Sequence, residues 1–255
     1  MKRILDTLGL VFGLLIANFL SNIVVALTLI PLLGESDKNA MLAITLANIL
    51  TIGIMYLFYG KEDRLVEKCN FKKINIKDAF YITLLGIGLS SVISLIMTPI
   101  INIFPSYMEL SNKMLSFRAS ILSVICMVVL IPICEEIIFR GIIFDHLKRN
   151  YSIITAIIVQ ALLFGLFHGN IVQGIYTFLS GIIFVLANIY CGSILGGIIL
   201  HIIMNLLGAS GIQELLGFSD LMYTIEYVGG VVLFIYASYK MIKNYKKRIC
   251  DCKVS

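Results

Sequence analysis

The chain has 255 residues, of which 59% are hydrophobic and 14% are charged, and its mean hydropathy is +0.98. An ordinary soluble domain carries about 25% charged residues, so the composition argues against a soluble globular enzyme. It also argues against a disordered chain or a disulfide scaffold. The composition therefore predicts a polytopic membrane protein.

Eight apolar runs, each bounded by charged or turn-forming residues, are long enough to predict membrane helices. They cover residues 8–33, 40–59, 79–104, 120–143, 152–168, 171–190, 193–209 and 224–243. We expect an all-α bundle of about eight transmembrane helices that forms a single membrane-embedded domain over residues 1–255.

The Lys and Arg residues predict the orientation of this bundle, because short loops that stay in the cytoplasm collect positive charge. With both termini in the cytoplasm, the outer side keeps only Lys38, Lys113 and Arg118. The inner side then holds four basic segments, at residues 2–3, 61–77, 148–149 and 240–253. We expect an integral, multi-pass protein of a bacterial cell membrane. The net charge of +5 reflects this orientation and calls for no nucleic-acid partner.

Three motifs place polar or ionisable side chains inside predicted helices. Insertion of a charged group into a membrane helix costs about 2.5–3.5 kcal/mol, so such groups are rare and usually mark a functional site. The motif residues are Glu135, Glu136 and Arg140 in the fourth run, Phe164 and His168 in the fifth, and His201 and Asn205 in the seventh.

The spacing of these residues sorts them into pairs. Glu136 and Arg140 are four residues apart and stack on one helical face, which favours an ion pair. Glu135 is turned by about 100° from Glu136 and has no cation at that spacing on its own helix. We therefore interpret Glu135 as the free carboxylate of the site. His201 and Asn205 are also four apart, so both can face one cavity.

A carboxylate, two imidazoles and an amide in apolar surroundings suit hydrolysis by water. The carboxylate can accept a proton from water, and an imidazole can share that water molecule. The second imidazole and the amide can donate hydrogen bonds to the oxyanion that forms at an attacked carbonyl. No Ser or Cys in these motifs has a partner that would make it a nucleophile, so direct attack by water is the simpler chemistry.

The motifs Glu-Glu-x-x-x-Arg, Phe-x-x-x-His and His-x-x-x-Asn, in that order between residues 135 and 205, resemble those of the CPBP family of intramembrane proteases. This family comprises type II CAAX prenyl endopeptidases and bacterial Abi-type relatives linked to bacteriocin processing or immunity. The resemblance implies an eight-helix fold with a motif-bearing core at about residues 120–210. It also implies an endopeptidase acting on a membrane-associated or lipid-modified peptide or protein.

The resemblance assigns a role to each motif residue. Glu135 would activate a water molecule together with His168. His201 and Asn205 would stabilise the tetrahedral oxyanion. The second Glu and the Arg of the first motif, paired by their spacing, would support the site, as would Phe164.

The resemblance leaves the cofactor open, because the family has been described both as metalloproteases and as metal-independent glutamate proteases. Glu135, His168 and His201 could hold zinc. The zinc-protease motif His-Glu-x-x-His is absent from the sequence, however, and Asn205 is a poor ligand. We therefore expect that no cofactor is required, with zinc as the alternative.

Each feature also has a structural interpretation. Glu136 and Arg140 suit a structural ion pair. His201 and Asn205 could join helices by hydrogen bonds, and His168 could lie at the membrane interface. Two other classes of function would use the same buried groups: a non-catalytic immunity or scaffold protein, and a proton-coupled transporter.

The predicted boundaries place His168 nearer the outer side than Glu135. For a shared site, the fifth helix must start before residue 152, tilt, or turn back at Gly169 and Asn170. Irregular backbone at membrane depth is tolerated where protein or a water-filled cavity surrounds it. We expect such a cavity between the fourth, fifth and seventh helices, open to the cytoplasm.

The six cysteines form no Cys-x-x-Cys pair, so we expect reduced thiols without a zinc or redox function. The sequence from Cys252 to Ser255 formally fits a prenylation pattern, which we interpret as a chance match.

Overall fold

The computed structural model describes residues 2–33, 37–59, 65–104, 107, 116, 118, 120–208 and 216–254. Across these ranges the regular secondary structure is helical. In chain order the helices are α1 (Lys2–Thr28), α2 (Ile30–Leu33), α3 (Asp37–Tyr59), α4 (Leu65–Cys69), α5 (Ile76–Ile103), α6 (Ile121–Asn150), α7 (Ile153–Phe167), α8 (Ile171–Cys191), α9 (Leu195–Gly208) and α10 (Asp220–Val254).

The predicted all-α membrane bundle is confirmed, and a helix lies in each of the eight predicted runs. Within the described ranges, six helical segments are long and apolar enough to cross a membrane, whereas α7 and α9 are shorter. Several helices extend beyond the predicted ends: α6 ends at Asn150 instead of 143, and α10 covers Asp220–Val254 instead of 224–243. Helical hydrogen bonding continues through charged residues, although the apolar run stops at them.

Helix α6 contains two π-helical segments, Cys126–Leu130 and Ile137–Phe144, on either side of an α-helical turn at Ile131–Glu136. In a π segment each N–H bonds to the carbonyl five residues earlier, which widens the helix and changes the direction of side chains. Such segments occur frequently at functional sites. Both glutamates of the first motif lie on the turn between them.

Helices α7 and α8 form a hairpin that turns at Gly169 and Asn170. Gly169 has a φ of +65°, a conformation that favours glycine, and the Asn170 side chain accepts hydrogen bonds from the first N–H groups of α8. His168 lies about 24 Å along the helix from Ser152, and Glu135 lies about 22 Å from Asn150. The depth mismatch is therefore removed by the longer α6 and not by an earlier start of the fifth helix, which begins as predicted.

Described residues in or next to the four basic segments predicted on one side are held together at one end of the bundle. Arg3 donates a hydrogen bond to the Asn150 carbonyl at 3.3 Å, and Asn70 donates one to the Gly192 carbonyl at 2.5 Å. Arg248 on α10 pairs with Asp78 at the start of α5. We call this the basic end. Its location in the cytoplasm stays a prediction.

Asp78 joins three helices at the basic end. Its Oδ1 accepts hydrogen bonds from the Tyr190 hydroxyl at 2.6 Å and from Arg248 at 2.5 Å. The Arg248 guanidinium also lies 4.8 Å from the centre of the Tyr190 ring, a cation–π distance. Asn75 caps α5 and donates to the second oxygen of Asp78. The buried carboxylate therefore attaches α10 and α8 to α5.

Replacing Asp78 by Ala should lower the thermal stability of the purified protein in detergent. The change leaves Tyr190 and Arg248 without their acceptor, a cost of about 1–3 kcal/mol. A thiol-reactive fluorogenic dye measures the transition, because Cys126 and Cys134 are buried until the bundle opens. Lys247→Ala on the exposed face of α10 is the control and should leave the midpoint unchanged; equal midpoints for both variants would contradict the role of Asp78.

Candidate active site

The centre of the site is the ion pair between Glu136 and Arg140. Glu136 Oε1 lies 3.1 Å from Arg140 Nη1, and the two residues are 0% and 4% exposed. The guanidinium also donates a hydrogen bond to the Gly181 carbonyl at 3.2 Å and lies 4.5 Å from the centre of the Phe164 ring. The ion pair predicted from the i, i+4 spacing is confirmed.

Helices α7, α8 and α9 supply the surroundings of this pair, and most of these residues carry no motif. The Phe184 ring lies 5.3 Å from the guanidinium, and Gln160 donates to the same Gly181 carbonyl at 3.1 Å. A Cβ on Gly197 would lie within 2.5 Å of Glu136 Oε2, so only glycine leaves room for the carboxylate. The amide of Asn188 accepts a hydrogen bond from the N–H of Gly197. Spacing along one helix cannot find such partners, because they lie on other helices.

His201 lies between the two glutamates. Its Nδ1 is 3.1 Å from Glu136 Oε1, and its Nε2 is 3.5 Å from Glu135 Oε2. The ring stacks on Phe184 with a centroid distance of 4.6 Å. Glu135 thus lacks a cation on its own helix, as its spacing indicated, but it meets an imidazole from α9.

The two glutamates differ in exposure. The Glu135 side chain is 21% exposed, whereas that of Glu136 is completely buried. Glu135 is therefore the more accessible of the two carboxylates, while Glu136 is committed to Arg140 and His201.

The orientation of His168 is fixed by a hydrogen bond within its own motif. Its Nδ1 lies 2.8 Å from the carbonyl oxygen of Phe164, and the two rings meet edge to face at 5.0 Å. A carbonyl only accepts, so Nδ1 carries the proton and a neutral ring leaves Nε2 as an acceptor. Among the described residues, His168 makes no direct hydrogen bond to Glu135, so a shared water molecule would have to join them.

Asn205 makes a hydrogen bond that the backbone of α6 requires. Its Nδ2 donates to the Met127 carbonyl at 3.0 Å. In this π segment the N–H of Ile131 bonds to the Cys126 carbonyl, so the next donor would be residue 132. That residue is Pro132, which has no N–H. The structural interpretation of Asn205 therefore holds, and its second amide hydrogen and its oxygen remain for other contacts.

A cavity of about 360 Å³ contains His201 and Asn205 in its wall, so the prediction that both face one cavity is confirmed. Its location differs from the expected one. The wall comes mainly from α5, α8 and α9, with Phe164 of α7 and Tyr227 of α10, and not from α6. We call it the main cavity. Neither Glu135 nor His168 lines it, so the structure does not bring the four predicted site residues to one cavity. The expectation was wrong because the polar face of α6 packs against α9 and is filled by its own ion pair.

A smaller cavity of about 190 Å³ lies at the basic end. Arg140, Phe144 and Lys148 of α6 line it together with Asn188 of α8 and Ser193 before α9. A cavity open to the cytoplasm was expected between α6, α7 and α9, but this one lies mainly between α4, α6 and α8. Of the motif residues, however, only Arg140 lines it.

The described thiols do not provide a nucleophile or a metal site. Cys69, Cys126, Cys134, Cys191 and Cys250 are free, as expected. Burial raises the pKa of the Cys69 thiol to about 12, so this thiol is protonated at neutral pH.

The proposed zinc ligands do not form a metal-binding group as they stand. Both nitrogens of His201 face glutamates, and His168 bonds to the Phe164 carbonyl. Within the part of the chain that the structure describes, no three His, Cys, Asp or Glu side chains are placed to hold a metal ion. We therefore derive no step through zinc.

Comparison with known proteins agrees with the motifs. Residues 117–207 match the family model described as type II CAAX prenyl endopeptidase Rce1-like. The match covers all three motifs and confirms the resemblance to the CAAX-protease family. At the level of the family, it supports an intramembrane protease. Neither the curated proteins nor the solved structures contain a significant match to this chain.

The two adjacent glutamates should differ in their effect on stability. Glu136→Ala leaves Arg140 buried without its partner and should cost about 3–5 kcal/mol. Glu135→Gln keeps the size of a partly exposed side chain that has no arginine partner, so its cost should stay below about 1 kcal/mol. Thermal denaturation in detergent measures both; equal losses would contradict this division.

Proposed function

We propose that this chain is an intramembrane endopeptidase in which Glu135 acts as the general base for attack by water on a peptide bond. The observation that carries the proposal is the placement of Glu135. It is a partly exposed carboxylate whose Oε2 lies 3.5 Å from His201 Nε2. The carboxylate of Glu136, on the other nitrogen of that ring, is already paired with Arg140. The family match over residues 117–207 supports the same class of reaction.

In the proposed first step, Glu135 takes a proton from a water molecule while the water oxygen bonds to the carbonyl carbon of the substrate. His168 presents Nε2 as an acceptor and helps to orient that water molecule. In the second step, protonated Glu135 returns the proton to the leaving amine as the C–N bond breaks. The products are a new carboxylic acid and a new amine, to which the acid gives its proton at neutral pH, and the carboxylate of Glu135 is regenerated.

His201 and Asn205 are the proposed donors to the oxyanion. The Nδ1 of His201 faces the carboxylate of Glu136, so it carries a hydrogen. A protonated ring also carries a hydrogen on Nε2, which can bind a developing oxyanion. Asn205 has one amide hydrogen beyond the one given to Met127. Both side chains line the main cavity, which supports access to a bound carbonyl.

We propose a membrane-associated or lipid-modified peptide or protein as the substrate, and a mechanism without an obligatory metal. The lipid bilayer surrounds the protein, and no nucleic acid takes part. A non-catalytic immunity or scaffold protein would bind its client without cleaving it. Detection of cleavage products would therefore distinguish a protease from such a binding protein.

Proton translocation is a second candidate that one observation favours. The main cavity contains His201 in its wall, the smaller cavity contains Arg140, and Glu136 contacts both residues. Ionisable groups between two cavities are typical of proton pathways. A proton flux in liposomes without any peptide product would favour this candidate over hydrolysis.

The protease is tested with purified protein in detergent and a pool of ten-residue peptides of mixed sequence, half of them carrying a farnesylated cysteine. Mass spectrometry should detect cleavage products. Glu135→Gln and His168→Ala should each lower kcat/KM by about 10²–10⁴-fold, because each removes a group that handles the water.

The matched control is Glu67→Gln, a change of an exposed carboxylate in α4 far along the chain from the motifs, and it should cleave at the original rate. Full activity of Glu135→Gln would refute the proposed mechanism. Comparing farnesylated with unmodified peptides determines whether the lipid group matters.

A double variant separates the structural and catalytic parts of Asn205. Asn205→Ala removes the donor to the Met127 carbonyl and should lower stability by about 1–3 kcal/mol along with activity. Pro132→Ala supplies a backbone N–H at that carbonyl, so the double variant should recover stability. Its kcat should stay low by about 10²–10³-fold, because the oxyanion donor is still missing. Recovery of both would show that Asn205 is only structural.

A further inference from the structure

The main cavity lies in one half of the bundle. On α5 its wall contains Ser90, Ile93, Ser94, Met97, Thr98 and Ile101, which follow one helical face toward the end of the helix. The wall on α9 extends from His201 to Gly208, the last residue of that helix. These helix ends are opposite the basic end, where α5 begins and the segment before α9 contacts Asn70.

The wall residues of α8 and α10 also place the main cavity away from the basic end. The residues of α8 in the wall are Tyr176, Thr177, Ser180 and Phe184, of which the first three lie in the half of α8 that is remote from Tyr190 and the basic end. On α10 the wall contains Tyr227, near the start of a helix whose far end carries Arg248. Arg118, one of three basic residues predicted on the outer side, also lines the cavity.

The chemistry of the wall suits a peptide backbone. From Ser90 to Ile101 the cavity follows α5 for about 16 Å, which is the length of about five extended residues. Hydroxyl groups from α5 and α8 alternate with apolar side chains along this length. A peptide brings one donor and one acceptor per residue to such a wall, whereas an isoprenoid chain brings neither.

Ser180 provides an independent sign of a ligand. Its side chain is buried, at 3% exposure, and lines the cavity, yet its Oγ has no hydrogen-bond partner among the described residues. Nearby Thr177 and Thr98 bond to carbonyls of their own helices. A buried hydroxyl without a partner costs about 1–3 kcal/mol, which a bound polar group would recover.

We propose that the main cavity takes an extended peptide segment from the side of the membrane opposite the basic end, and that Ser180 bonds to its backbone. Since positive loops stay in the cytoplasm, this side is the outer one. The inference rests on the proposed function and narrows its substrate. The substrate is a peptide segment exposed outside the cytoplasm, and not a tail presented from the cytoplasm.

Access is tested by thiol labelling in intact cells with a membrane-impermeant maleimide. Ser90→Cys places a thiol in the wall of the cavity and should be labelled in intact cells. Native Cys250, exposed at the basic end, should be labelled only after permeabilisation. Ser21→Cys, buried on α1 away from the cavity, is the matched control and should stay unlabelled in both conditions.

Binding is tested by protection of the thiol in Ser90→Cys by the ten-residue peptide pool. The peptides should slow its labelling in the purified protein, and Ser180→Ala should raise the concentration for half protection by about 3- to 10-fold. Ser21→Ala should not change it, because the Ser21 hydroxyl bonds to its own helix.

The outcomes separate this inference from the proposed function. Labelling of Ser90→Cys only after permeabilisation, or no labelling at all, would overturn access from the outer side even if peptides are cleaved. Failure of the peptides to protect, or protection that Ser180→Ala leaves unchanged, would overturn the binding role of the cavity wall. Labelling and protection without any cleavage product would refute hydrolysis while leaving the peptide-binding cavity in place.

Discussion

The arrangement of the site depends on one constraint, which is that a charged pair buried in an apolar bundle costs free energy unless its surroundings compensate it. Three other helices supply compensation to Glu136 and Arg140, although Glu136 Oε2 and Arg140 Nε have no hydrogen-bond partner among the described residues. Gly181 supplies a carbonyl, Phe164 supplies an aromatic face, and Gly197 leaves the space that the carboxylate fills. These contacts fix α7, α8 and α9 against α6. The contacts of the ion pair thus hold the helices that carry the remaining polar side chains.

The proposed role of Glu135 depends on its neighbour, because Glu136 is the glutamate that pairs with Arg140. The turn of about 100° between adjacent helical residues points one carboxylate at the arginine and the other away from it. His201 connects the two, with one ring nitrogen on each glutamate. Asn205 also makes contacts in two directions. It donates to the Met127 carbonyl, which Pro132 leaves without a backbone donor, and it lines the main cavity. In the proposed mechanism, structural and catalytic roles therefore coexist in single residues.

The short helices explain how a polar site exists within the bundle. Helix α7 turns back after His168, and α9 begins beside α4 and ends at Gly208, so neither is long enough to count among the spanning helices. Their ends bring polar backbone and side chains to depths where a continuous helix would present apolar ones. Such ends are stable only because protein surrounds them. The main cavity lies in the half of the bundle in which α9 ends. In the proposed function, the side of the membrane nearest to that half decides which substrates can enter.

The sequence by itself determined the helices, the sorting of Glu136 with Arg140 and of His201 with Asn205, and the collection of basic segments at one end. These follow from local rules: apolar length, a helical period of 3.6 residues and the distribution of charge between loops. Only the tertiary structure decided that His201 meets both glutamates, that Asn205 serves the Met127 carbonyl, and that the main cavity lies away from α6. Those features depend on the packing angles and ends of helices far apart in the chain, and no periodicity within one helix encodes them.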